Sequence, residues 1–186
     1  MSRHVTRSEM AEIDRRTIDE FGIPESALME RAGGAVAAEI RRRWPGRPVD
    51  VLCGPGRNGG DGRVVARLLG GRVIAPGEAW TPAPRAVVVD ALFGTGLNRD
   101  VAGPARSMIE AVDALDRAEH PVIAVDIPSG MDADSGLPRG AAVRADVTVT
   151  MGLPKAGFLS PGAAAHLGIL VIADIGHPPE LIKGDR

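Results

Sequence analysis

Apolar positions near the N-terminus recur with the helical period, the signature of helices packed along one side. Thr6 and Glu9 stand at capping-box spacing, and Met10, Ile13, Thr17 and Phe21 then share one face until Gly22 stops the helix. A second helix is predicted from near Pro24 to about Trp44. It turns Leu28, Ala32, Ala35, Val36 and Ile40 inward, carries Arg41, Arg42 and Arg43 at a solvated end, and is broken by Pro45-Gly46. From residue 49 the pattern changes to short apolar runs: Val49–Cys53, Val73–Ala75, Ala86–Asp90, Val122–Asp126, Val147–Thr150 and Ile169–Ala173. Continuous apolar runs, as opposed to alternating ones, predict strands buried on both faces, hence a parallel sheet between helical layers in a doubly wound α/β fold. Helices are expected over Asp61–Leu69 and Pro104–Ala118, and the Pro/Ala-rich stretch Pro76–Pro84 reads as a connection.

Composition narrows the function. A chain of 186 residues fits one domain able to bury its own core. Its 22 basic and 24 acidic side chains nearly balance, so no global field favours nucleic acid or a membrane surface. Aromatic residues are 3% of the chain and tyrosine is absent, which leaves little to build a base-stacking platform. No apolar stretch approaches the roughly 20 residues of a membrane span, and the polar N-terminus lacks a secretory pattern. Cys53 is the only cysteine, excluding an internal disulfide and thiolate zinc clusters. These features predict a cytoplasmic protein with a small-molecule partner.

The chemistry clusters at strand ends, where open α/β sheets bind ligands. After the first strand comes Gly54-Pro55-Gly56-Arg57-Asn58-Gly59-Gly60-Asp61-Gly62, which contains a G-x-G-x-x-G pattern leading into a helix. Such a loop lets backbone N–H groups approach a phosphate, although glycines here also serve tight strand-to-helix packing. The third strand leads into Asp90-Ala91-Leu92-Phe93-Gly94-Thr95-Gly96-Leu97, and the fourth into Asp126-Ile127-Pro128-Ser129-Gly130. Asn58, Asp90 and Ser129 offer amide, carboxylate and hydroxyl oxygens, which suit an alkali or alkaline-earth cation and not zinc. Loop bracing is the competing role for Asp90 and Asp126, and it fits Asp146 and Asp174 better. His4, His120, His166 and His177 lie outside the three loops and are expected to be surface or core residues, and Cys53 a packing residue.

These loops, together with Leu28-Met29-Glu30-Arg31-Ala32-Gly33 and Pro154-Lys155-Ala156-Gly157, stand in an order that resembles the YjeF N-terminal family of NAD(P)H-hydrate epimerases, from about Val5 to Gly176. The resemblance implies a Rossmann-like three-layer α/β/α sandwich with a mostly parallel sheet. It also implies interconversion of the R and S epimers at C6 of hydrated NADH and NADPH (NADHX and NADPHX), in the repair of nicotinamide nucleotides. Carried over by motif, potassium would be held by Asn58, Asp90 and Ser129. Substrate would contact Arg57, Asn58, Gly59, Gly60 and Asp61 on the first loop and Gly94, Thr95, Gly96, Leu97, Asn98, Arg99 and Asp100 on the second. Asp126 would lie beside the reacting ring as general acid/base, while Lys155 matches a family lysine without an assigned role.

Two features depart from the family pattern. Arg57 stands where asparagine is usual, and its guanidinium suits a phosphorylated ribose. The segment between Gly62 and Asp90 is also shorter than usual and lacks a helix, so Val73–Ala75 and Ala86–Asp90 are not expected to pair as neighbours, and one sheet face is expected to be less covered. The residues after Gly176 are too few for a fused dehydratase domain, so the dehydratase of such a pathway is expected to be a separate protein. The amphipathic N-terminal helices suggest a homodimer. Two other readings stay open: an NAD-dependent dehydrogenase with Glu78 as ribose-binding acid, and a non-catalytic binding or scaffold module.

Overall fold

The computed structural model describes residues 3–183. Two helices open the chain, α1 (Arg7–Asp19) and α2 (Glu25–Arg43). The Thr6 hydroxyl accepts from the Glu9 N–H, and the Glu9 carboxylate accepts from the Thr6 N–H at 2.7 Å, closing the capping box. Met10, Ile13 and Thr17 are buried as expected. Phe21 is 43% exposed, because α1 ends at Asp19 and the helical phase no longer steers it inward.

Six strands follow: β1 (Val49–Cys53), β2 (Arg72–Ile74), β3 (Val87–Ala91), β4 (Val122–Val125), β5 (Val147–Met151) and β6 (Ile169–Ala173). All five pairings are parallel, in the order β2-β1-β3-β4-β5-β6. Strands β2 and β3 therefore flank β1 and do not pair with each other. The order reverses between β1 and β3, which makes that crevice the switch point.

Side chains alternate between the two faces. Val49, Val51 and Cys53 join α2 and α3 (Arg57–Leu69) in one core, while Leu52, Val88 and Ala124 meet α4 (Gly103–Asp113) in the other. The second face is completed by an ordered strap in place of the missing helix. Asp50 on β1 is fully buried, and its carboxylate accepts two bonds from Arg72 at 2.8 and 2.6 Å, the Trp80 indole N–H at 3.0 Å and the Ala83 N–H at 3.1 Å. These bonds draw the Pro/Ala-rich connection across β1, and Trp80 packs against the second core.

Three sequence expectations need correction. Helix α3 begins at Arg57, not Asp61, so Asn58 to Asp61 are helical; burial of Asn58 and Gly59 under the sheet overrides the poor helix propensity of glycine. Helix α4 ends at Asp113, short of Ala118, where Asp116 starts a turn by accepting N–H bonds from Ala118 and His120. Strand β6 is not buried: Ile169, Leu170 and Ile172 are exposed because nothing pairs with its outer edge among the described residues.

After β5 the chain forms a 3-10 turn (Ala156–Leu159), α5 (Ala164–Leu167) and, beyond β6, α6 (Pro179–Ile182). Val5 lies parallel to Lys155, donating its N–H to the Pro154 carbonyl at 3.0 Å and accepting from the Ala156 N–H at 2.7 Å. The N-terminal segment is thereby fastened beside the carboxyl ends of the strands. Met10, Ile13, Leu153 and Leu181 pack around it.

Candidate active site

A cavity of about 570 Å³ opens at the switch point, a size suited to a small organic ligand. Pro55 to Asn58 and Asp61 line it from the first loop, Leu92 to Arg99 from the second, and Asp126 from the end of β4. The remaining wall comes from α1, α2 and the segments bearing Lys155 and His177. Of the residues expected to touch substrate, Gly59, Gly60 and Asp100 lie outside this lining.

Close packing explains several glycines. A Cβ on Gly54 would fall 1.9 Å from the Leu92 carbonyl oxygen, and one on Gly59 1.9 Å from that of Gly54. One on Gly62 would meet the Ala91 side chain at 2.6 Å. These three let β1, α3 and the second loop approach, so the packing role holds for them. Gly56 and Gly96 line the cavity with no such neighbour.

Asp126 terminates β4 with φ +66°, a left-handed conformation uncommon outside glycine and retained where the surroundings enforce it. Its Oδ1 accepts the Met151 N–H at 3.0 Å, the Thr150 hydroxyl at 3.2 Å and the Lys155 ammonium. No donor among the described residues reaches Oδ2. One carboxylate oxygen is thus held and the other is left for a ligand. Lys155 is fully buried, and its ammonium also donates to Thr150 Oγ1 at 2.9 Å and to the Met151 and Leu153 carbonyls, each at 3.2 Å. An ammonium removed from water needs such a set of acceptors.

Asn58, Asp90 and Ser129 converge around Phe93. Asn58 Nδ2 donates to the Phe93 carbonyl at 3.0 Å, the Phe93 N–H donates to Ser129 Oγ at 2.9 Å, and the Ser129 N–H donates to Asp90 Oδ2 at 2.7 Å. Asp90 and Ser129 are fully buried. Burial pushes the Asp90 carboxyl up to about 6, against the lowering effect of its bonds from Ser129 and Leu92. The set contains amide, carboxylate, hydroxyl and carbonyl oxygens, and Asp90 has no cationic side chain bonded to it among the described residues. That chemistry fits a weakly hydrated monovalent cation, and the described residues hold no cluster of three or more His, Cys, Asp or Glu that would suit a transition metal.

Asp61 has the opposite surroundings to Asp126. It lines the cavity from α3 and accepts no hydrogen bond from the described residues. Burial, followed by the nearby carboxylates of Asp126, Asp14 and Glu25, pushes its carboxyl up to about 8. Arg57 meets Glu25 at 2.5 Å and is largely exposed.

His177, expected outside the site, lines the cavity instead. It is 4% exposed, and its Nε2 lies 2.9 Å from Asp14 Oδ1 on α1. No local signal marks this pair, because the two residues are 163 positions apart. His120 and His166 brace loops by bonding to the Ala86 and Val143 carbonyls. Asp146 and Asp174 likewise accept backbone N–H bonds from Val122 and Gly176. Burial raises the Cys53 thiol to about 11, as suits a packing residue. Glu78 accepts the Ala75 N–H in its own turn and stands outside the cavity lining, which leaves the dehydrogenase reading without its ribose acid.

Fold and site together define a Rossmann-like, doubly wound α/β protein with a small-molecule cavity at its switch point. The model for the YjeF-related protein N-terminus matches residues 25–77 and 70–157, and the chain belongs to that family. An NAD(P)H-hydrate epimerase of Limosilactobacillus fermentum is 36% identical, with 91% of this chain and 95% of the relative covered. A bifunctional NAD(P)H-hydrate repair enzyme of Thermanaerovibrio acidaminovorans is 35% identical over 96% of this chain, which spans 41% of that relative's length. The crystal structure of yeast ynu0 shares the fold with a TM-score of 0.76 at 24% identity, covering 96% of this chain and 91% of its own. Among the described residues no helix is long and apolar enough to cross a membrane.

Proposed function

We propose that this chain is an NAD(P)H-hydrate epimerase, an isomerase that interconverts the R and S forms of NADHX and NADPHX at C6. The observation that carries the reading is the open Oδ2 of Asp126, held at the cavity wall by Lys155, in a chain that covers nearly the full length of relatives bearing that name. Inversion at C6 must break and remake a bond at that carbon, by ring opening or by departure and return of the hydroxyl. Either route needs a group that takes and returns a proton, and this reading gives that role to Asp126 Oδ2. Arg57, Asn58, Asp61 and Gly94 to Arg99, which line the cavity, hold the nucleotide in this reading, and the largely exposed Arg57 guanidinium, paired through Nε with Glu25, meets a phosphorylated ribose with its other N–H groups.

Potassium would be held by Asn58, Asp90 and Ser129, whose oxygens fit it, and would offset the buried Asp90 charge when bound. A dehydratase that consumes one epimer completes the repair in this reading. The reaction is assigned to the cytoplasm, where the single buried thiol of Cys53 suits a reducing environment. A homodimer is part of this reading, although the apolar faces of the N-terminal helices are turned inward.

The test supplies the protein with mixed NADHX epimers and a dehydratase specific for the S form, in potassium or choline chloride, and follows NADH recovered. Accelerated use of the R form, removed by Asp126→Asn and weakened in choline, is the expected result. An R form consumed no faster than without protein overturns the reading in favour of a non-catalytic binding module.

A further inference from the structure

Of the four carboxylates that line the cavity, Asp61 and Asp126 stand in unlike surroundings. Three donors hold Asp126, which accepts the Lys155 ammonium in an ion pair. Asp61, on a different element, has neither a hydrogen-bond donor nor a cationic partner among the described residues. The charged groups that act on it from the packed elements are Asp14 on α1, Glu25 on α2 and Asp126 beyond β4. Asp14 is bonded to His177, and Glu25 is paired with Arg57. A negative charge on Asp61 is therefore disfavoured by burial and by like charges together. Where the environments of two cavity carboxylates diverge in this way, one is suited to give a proton while the other takes one.

We propose that Asp61 is a second catalytic residue, the proton donor that works with Asp126 as acceptor on the two sides of the substrate ring. The proposal rests on the epimerase reading. In one direction the C6–O bond breaks as the lone pair of the ring nitrogen forms a C6=N1 double bond, and the Asp61 proton moves to the departing oxygen, releasing water. Water then adds to C6 from the opposite side, the C6=N1 pair returns to nitrogen, and Asp126 Oδ2 takes the proton of the adding water. The reverse reaction starts from the complementary protonation state, and proton exchange with solvent restores either form. Atoms and charge balance without any further reactant. Burial and the neighbouring carboxylates push the Asp61 carboxyl up to about 8, which favours its protonated form at neutral pH.

The test compares wild type, Asp61→Asn and Asp61→Ser, the last as a second variant should one of them fold poorly. Epimerisation is measured from pH 6 to pH 9.5, and the Asp61 carboxyl is titrated by carbon-13 NMR. The expected result is a wild-type rate that falls above about pH 8, a kcat in both variants lower by roughly 100-fold or more with KM little changed, and loss of that alkaline limb. The Asp61 carboxyl should titrate near 8 and move down when Asp126→Asn removes the like charge. A variant with wild-type kcat, a loss confined to KM, or an Asp61 carboxyl titrating near the ordinary value of about 4 overturns the proposal. Failure of the underlying reading is separately visible, as absence of epimerisation by the wild type.

Discussion

The Lys155 ammonium, with no exposed surface, donates to the same oxygen of Asp126 that accepts the Met151 N–H. The pair joins the left-handed end of β4 to the segment that Val5 clamps by backbone bonds. Removing one member leaves the other charged and poorly solvated. Lys155→Met should lower the unfolding free energy by about 3–5 kcal/mol, measured by urea denaturation at pH 7. A loss below 1 kcal/mol would show that Asp126 relaxes into solvent without its partner.

The glycines of the first loop separate by what surrounds them. Gly54→Ala or Gly59→Ala drives a methyl into a backbone carbonyl, so each should cost at least about 3 kcal/mol or abolish folding. Gly60→Ala meets only the far end of Met29, which can swing away, and should change stability by less than about 1 kcal/mol. Thermal unfolding of the three variants checks the ranking, and equal losses would refute it.

Asp61 predicts an inverted stability profile. Burial and the nearby carboxylates push its folded carboxyl up to about 8, above the ordinary value, so the native state favours a proton that the unfolded chain has released between about pH 4 and pH 8. Its stabilising contribution is fully present below the unfolded value and is lost as pH rises through 8. Asp61→Asn, which carries no charge to bury, should therefore unfold at a higher temperature than wild type at pH 8.5 and gain less at pH 5. Scanning calorimetry at the two pH values decides it.

Asp50 behaves oppositely. Burial alone would raise its carboxyl, but the bonds from Arg72, Trp80 and Ala83 outweigh it and hold the group below the usual range. Its contribution is present above the unfolded carboxylate value and is lost as pH falls through the folded one. Asp50→Asn should cost about 1–3 kcal/mol at neutral pH, and the gap from wild type should narrow in acid. In a Trp44→Phe background the emission of Trp80 should shift to the red as the strap loosens. An unchanged spectrum with unchanged stability would show that the strap holds without Asp50.

Local pattern carried much of this protein. The capping box at Thr6 and Glu9, the inward positions of α2 and all six strands follow from periodicity, because each depends on neighbours within a turn or two. The three glycine-rich loops were likewise legible, since the close approaches that require glycine recur at fixed places after a strand. Tertiary structure alone decided what those loops face. It ordered β2, β1 and β3 so that the first two loops share one crevice, and it tied Lys155 to Asp126 across 29 positions and His177 to Asp14 across 163. It also left Asp61 without a donor, although its motif reads as an ordinary helix start, and left β6 exposed despite an apolar run typical of a buried strand. The physical reason is common to these cases: burial and electrostatic environment are sums over groups distant in the chain, and no local spacing records which groups the fold brings together.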